Sequence, residues 1–152
     1  AIKDIHPYEE PAFDLYELKT KPSYGIGLIG EIDEEVEISK FSLEVKNQLQ
    51  ARYTRLIKSN NRKIKKVALC TGAGGSLLEQ VSQQDVDLYL TGDITYHTAI
   101  RAKELGLNVL DVEHFDTEKF FVDALYNQMI KLGIHQDILI RSNKMESPYQ
   151  VL

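Results

Sequence analysis

The sequence predicts an α/β fold, a three-layer α/β/α sandwich built on a mostly parallel sheet. Three observations point there. From Val67 onward, short apolar runs at 67–70, 86–90 and 107–112 alternate with segments of helical period, the pattern of strands joined by right-handed helical crossovers. Gly106 and Gly133 stand where two of those helices must end, the position that favours a residue tolerant of left-handed backbone. At 152 residues, 43% hydrophobic and 27% charged, the chain has the size and composition to bury one core.

The elements follow in order. Residues 12–19 are strand-like, with Phe13, Leu15, Tyr16 and Leu18, and end in a Lys-Thr-Lys-Pro-Ser turn. Residues 24–32 carry Gly25, Gly27 and Gly30 among apolar neighbours, a strand with close backbone approach or bulges. An acidic connector, 33–37, leads to Ser39, an N-cap for a helix over 40–50 with Phe41, Val45 and Leu49 on one stripe. A short strand at 54–58 turns at Ser59-Asn60-Asn61. The strand at 67–70 leads through Thr71-Gly72-Ala73-Gly74-Gly75-Ser76 into a helix reaching about Gln83, and that at 86–90 through Thr91-Gly92-Asp93 into a helix over 95–105. The last strand, 107–112, feeds a helix over 116–132, whose stripe Phe121, Leu125, Met129 and Leu132 is expected to press its start against the sheet. A final strand is expected at 137–141.

Composition narrows the function classes. A net charge of -5 argues against a general nucleic-acid binder, which needs clustered Lys and Arg. The basic run Arg62-Lys63-Lys65-Lys66 reads as the solvated start of a strand. Cys70 is alone, which leaves no disulfide framework and no cysteine zinc cage within one chain. No signal peptide or bilayer-length apolar run stands out. The expected setting is the reducing cytoplasm.

In this topology the loops after Cys70, Leu90 and Val112 open on one sheet edge, where open α/β sheets place their ligand sites. His114 and Glu118 are four apart at a helix start and so point the same way. Imidazole and carboxylate are ordinary ligands for Zn²⁺, Mn²⁺ or Fe²⁺, and the plain alternative is a surface pair at helix spacing. Asp93 and His97 repeat that spacing one crossover earlier, either as a cap and its neighbour or as site groups. Thr71, Gly72, Gly74, Gly75 and Ser76 form either a tight turn whose glycines permit close packing or a cradle of backbone N–H groups for an anion. The loop has neither the ending of a Walker motif nor the spacing of a dinucleotide fingerprint. His6 and His135 take no role.

The segments Thr91-Gly-Asp-Ile-Thr-Tyr-His-Thr-Ala99 and Asp111-Val-Glu-His-Phe-Asp-Thr-Glu118, with 67–76 before them, resemble the second half of the Nif-three-like family, also labelled GTP cyclohydrolase I type-two homologues. The start His6-Pro7-Tyr8-Glu9-Glu10-Pro11 and the stretch after it resemble the end of an inserted domain similar to PII proteins. The resemblance implies residues 1–20 as the tail of that insert and 21–152 as the C-terminal lobe of a longer protein. It further implies a dinuclear divalent-metal site in a ring-shaped homo-hexamer, with His114 and Glu118 as metal ligands, Asp93 and His97 as cavity neighbours, and the remaining ligands supplied by a first half that this sequence lacks. Glu113 stands where the family usually has Gly, and Phe115 where it usually has Tyr.

Three functions follow as expectations. The first is a metal-dependent, hydrolase-like enzyme acting on a small polar or phosphate-bearing substrate. The second is a non-catalytic metal-binding or regulatory hexamer. The third is a Rossmann-like nucleotide-binding module that uses the glycine loop without metal. No stacking aromatic for a purine is evident among the loops.

Overall fold

The computed structural model describes residues 2–8, 10–17, 19–20 and 24–150. In chain order the elements are α1 (Ile2–Ile5), β1 (Leu28–Val36), α2 (Ile38–Gln48), β2 (Thr54–Ile57) and β3 (Ile64–Ala73). A 3₁₀ turn at Gly75–Leu77 then runs into α3 (Leu78–Ser82), followed by β4 (Leu88–Gly92), α4 (Tyr96–Glu104), β5 (Val109–Val112), α5 (His114–Glu118) and α6 (Phe121–Lys131). The five strands form one sheet in the order β1-β3-β4-β5-β2.

Side-chain alternation along the central strands explains the layers. Leu88 and Leu90 of β4 and Leu110 and Val112 of β5 bury on one face, beneath Ile38, Phe41 and Val45 of α2 and Leu49 at its C-cap. Tyr89 and Val109, one residue out of phase, bury on the other face with Leu78 of α3 and Ala102 of α4. Every residue of β4 and β5 is buried, as strands covered on both faces require. This is the expected three-layer arrangement.

The parallel pairings are confined to the centre. β3, β4 and β5 run parallel, while β1 pairs antiparallel with β3 and β2 antiparallel with β5. The two edge strands belong to the first part of the chain and are linked to each other by α2, so neither enters the sheet through the βα alternation that orders the centre.

Several elements differ from the sequence reading. Residues 11–17 carry no strand; Leu15 and Tyr16 are exposed, and alternation without a partner ladder gives nothing to pair with. Leu18 lies outside the described residues. The strand expected at 24–32 starts at Leu28 and runs through the acidic connector to Val36, because an exposed edge strand accepts charged side chains. Helix α2 begins at Ile38, with Glu37 rather than Ser39 at the cap position and no side-chain capping bond. Burial of Ile38 to 2% exposure draws the first turn onto the sheet. The helix expected over 116–132 is two helices, interrupted at Lys119 and Phe120. No residue of α6 is buried, so its apolar stripe does not press α5 against the sheet. In place of a strand at 137–141 there is a 3₁₀ turn at Gln136–Ile138 followed by irregular chain.

Candidate functional site

The parallel centre brings three strand ends to one edge: β3 pairs with β4 as far as Ala73↔Gly92, and β4 with β5 as far as Thr91↔Asp111. Strand β3 thus runs on into the glycine segment, and Gly72 is a strand residue with φ of +67°. A Cβ there would stand 2.5 Å from Glu118 Oε1 and 3.1 Å from His114 Nε2. At Gly92 it would stand 3.0 Å from the backbone of His114. Both glycines therefore let the His114–Glu118 pair lie directly on the ends of β3 and β4.

Polar anchors hold α5 in that position. Thr117 is 7% exposed; its hydroxyl accepts the Gly72 N–H at 2.8 Å and donates to the His114 carbonyl at 2.7 Å. Asp116 is 2% exposed and accepts the Arg52 N–H at 3.1 Å and the Lys119 ammonium at 2.9 Å. Beneath the turn, the Gly74 N–H donates to Thr91 Oγ1 at 3.0 Å, and the Tyr89 hydroxyl donates to the Gly74 carbonyl at 2.9 Å. The amides of Gly72 and Gly74 are thus engaged within the protein, which leaves less of a cradle for an anion. Gly75 and Ser76 enter the 3₁₀ turn, and Thr71 is an exposed residue of β3.

His114 faces an acid at each ring nitrogen. Nδ1 is 2.8 Å from Asp93 Oδ2, and Nε2 is 3.1 Å from Glu118 Oε2. The hydrogen bond to Asp93, reinforced by the charges of Glu118 and Asp93, holds the imidazolium above the ordinary imidazole range; slight burial pulls the other way. With Nδ1–H donating to Asp93, the neutral ring turns the Nε2 lone pair toward a carboxylate. Two such acceptors at hydrogen-bond distance need a proton or a cation between them. Ligands about 2.1 Å from one ion, at angles of about 90–110°, stand about 3.0–3.4 Å apart, so Nε2 and Oε2 fit one edge of a coordination sphere. Asp93 then sits where an outer carboxylate fixes the tautomer and orientation of a metal-binding imidazole.

Among the described residues the pair stands without a third donor: no group of three or more His, Cys, Asp and Glu side chains is arranged to hold one ion. Asp93, at φ of +54° just beyond β4, pairs with His114 across the edge rather than with His97 four residues on. His97 is exposed, stacks edge-on against Tyr96 at 5.7 Å, and is absent from the cavity lining around His114. Thr95, not Asp93, caps α4 by accepting the Thr98 N–H at 3.2 Å.

The cavity in front of the pair measures about 300 Å³ and is walled by Asp93, Glu113, His114, Phe115 and Glu118 together with Met145, Pro148 and Tyr149 of the C-terminal tail. Sequence reasoning did not find the tail, nor Arg52, nor the anchoring roles of Asp116 and Thr117. A hydroxyl and a carboxyl between His114 and Glu118 were a local signal that α5 is tied down. Arg52 and the tail carried none, since they reach the site from 61 and 34 residues away from Glu113.

The chain matches the Duf34/NIF3 (NGG1p interacting factor 3) family over residues 2–145. It belongs to that family. Among curated NIF3 relatives, a Staphylococcus aureus protein named GTP cyclohydrolase 1 type 2 homolog is 38% identical over 114 residues, 75% of this chain and 31% of its own length. A Staphylococcus epidermidis protein of the same name is 37% identical over 115 residues, again 31% of its length. The chain therefore spans about a third of the curated relatives it matches. In structure, a Staphylococcus aureus protein superposes with a TM-score of 0.76 at 32% identity, covering 99% of this chain and 44% of that one. A Bacillus cereus protein related to NIF3 gives 0.72 at 29% identity, covering 99% and 42%. Among the described residues of this NIF3-family chain, no helix is long and apolar enough to cross a membrane.

Proposed function

We propose that this chain carries one half of a dinuclear divalent-metal centre and that the longer protein is a metal-dependent, hydrolase-like enzyme of the GTP cyclohydrolase-homologue type. One observation supports this most: His114 Nε2 and Glu118 Oε2 face each other at 3.1 Å while Asp93 takes Nδ1. His114 and Glu118 would bind the cation, Asp93 would keep the ring turned, and the bare Gly72 would leave them room. A divalent ion, as Zn²⁺, Mn²⁺ or Fe²⁺, supplies Lewis-acid chemistry to such a site. The substrate is a small polar or phosphate-bearing molecule, and the full-length subunits form a homo-hexameric ring in the cytoplasm. A non-catalytic metal-binding scaffold is the second reading, favoured by the engagement of the Gly72 and Gly74 amides, which gives a phosphate group fewer backbone donors.

The test uses the full-length protein. His114→Ala and Glu118→Ala are each expected to remove most of the bound divalent metal, as measured by plasma mass spectrometry, and to abolish any turnover of GTP or related phosphate compounds. Unchanged metal content in His114→Ala overturns both readings; metal loss without any turnover in the parent protein selects the scaffold. The 152-residue chain alone, with two donors, is expected to hold metal weakly.

A further inference from the structure

Glu113 immediately precedes His114 and is 3% exposed, yet nothing in the proposed chemistry uses it. Its carboxylate is met by Arg52, whose Nε donates to Oε2 at 3.2 Å and whose Nη2 donates to both carboxylate oxygens. The third partner is the tail. The Ser147 hydroxyl donates to Glu113 Oε1 at 2.6 Å and accepts from Arg52 Nη2. Arg52 Nη1 donates to the Tyr149 carbonyl, and the Tyr149 N–H donates to Ser147 Oγ at 3.2 Å. A buried ion pair is weak evidence of a stabilising role. What this pair does visibly is fasten a distant, otherwise irregular segment beside the ligand helix.

That segment is held by polar contacts far more than by burial. Met145 is 44% exposed and Tyr149 65% exposed, and no regular element covers residues 139–150. Even so, Met145, Pro148 and Tyr149 wall the cavity in front of His114 and Glu118, with Phe115 beside them. A segment that walls a site, lies on the surface and is fastened through the Arg52–Glu113 pair can be displaced without unfolding the sheet.

The geometry points to a latched strap. Residues 145–149 flank the His114–Glu118 pair and wall one side of its cavity, and Arg52, Glu113 and Ser147 form the latch that holds them there. The strap gives an otherwise polar site an apolar flank, so a ligand reaching His114 presents a polar group to the imidazole and an apolar body to Met145 and Tyr149. Arg52, Glu113 and Ser147 are positioning residues in this arrangement. The ligand selection rests on the reading of His114 and Glu118 as a metal-binding pair; the strap itself does not.

The test reads access to His114 without metal. The intact chain is treated with diethyl pyrocarbonate, and modification of His114 is followed by mass spectrometry against exposed His97 as the internal reference. Ser147→Ala breaks the latch, and Tyr149→Ala removes the wall while leaving the latch side chains in place. Both changes lie outside any regular element, and circular dichroism checks that the fold is kept. Each is expected to raise the His114-to-His97 rate ratio about three- to tenfold, the range expected from losing one charge-assisted hydrogen bond or its equivalent. An unchanged ratio in Ser147→Ala overturns the latch, and an unchanged ratio in both overturns the strap. Adding Zn²⁺ to the unmodified chain at high concentration tests the ligand reading separately: absence of His114 protection counts against the metal pair, whatever the strap does.

Discussion

Helices α5 and α6 follow one another in the chain, one five residues long and the other eleven, and the protein fixes the shorter one. Helix α6 has the regular apolar stripe, but Phe121 and, just past its end, Leu132 stay largely in solvent, and Leu125 is 40% exposed. Polar contact reaches it from the tail, where Arg141 pairs with Asp123 at 2.9 Å and lies over the Tyr126 ring. Helix α5 has almost no apolar stripe. It is held by Asp116 and Thr117, both buried, which take up backbone N–H groups of Arg52 and Gly72. Apolar periodicity gives a helix a face to bury and says nothing about whether the rest of the chain supplies a surface for it. A buried carboxyl or hydroxyl with a fixed partner sets a position more narrowly, because leaving the partner unpaired is costly.

The contrast can be broken most forcefully at Asp116. Asp116→Ala leaves the Arg52 N–H and the Lys119 ammonium without their acceptor, and is expected to cost about 3 kcal/mol in urea unfolding. A cost below about 1 kcal/mol would mean that α5 is not held by its polar anchors.

Asp93→Asn sharpens the comparison at the site without disturbing the core. It removes the main cause of the raised His114 pKa, so the imidazole titration midpoint of the metal-free protein, followed by NMR, is expected to fall toward the ordinary value of about 6.5. The stability this interaction gives is fully present below the unfolded-state pKa and is lost as pH rises through the higher folded-state value. The parent protein should therefore lose that contribution on the alkaline side of the ordinary histidine range, and Asp93→Asn should lose it at lower pH. An unchanged midpoint would show that Asp93 does not hold the ring.

The smallest effect belongs to α6. Leu125→Gln is expected to change the unfolding free energy of this chain by no more than about 0.5 kcal/mol. A loss of about 2 kcal/mol or more would place α6 in a packed interface and erase its contrast with α5.

Much of the site was legible because local spacing on a helix and the shared edge of parallel strands are both set by short-range geometry. His114 and Glu118 converge as their i, i+4 spacing requires, and Asp93 joins them because β4 and β5 end side by side. His97 had the same spacing from Asp93 but does not join, since the turn at Asp93 carries its carboxyl toward the neighbouring strand end. The Glu113 carboxylate lies beside the site and is neutralised by Arg52. The aromatic flank not evident among the loops is supplied by Phe115 and by Tyr149 of the tail.

The sequence by itself determined the layered α/β class, the central strands and the convergence of His114 and Glu118 on α5, because periodicity and turn chemistry act over a few residues. The tertiary structure alone decided the antiparallel edges, the break before α6, the polar anchoring of α5 and the fastening of the tail by Arg52. Those features depend on contacts between residues many tens of positions apart, and the local pattern of one partner does not say which residue it will meet.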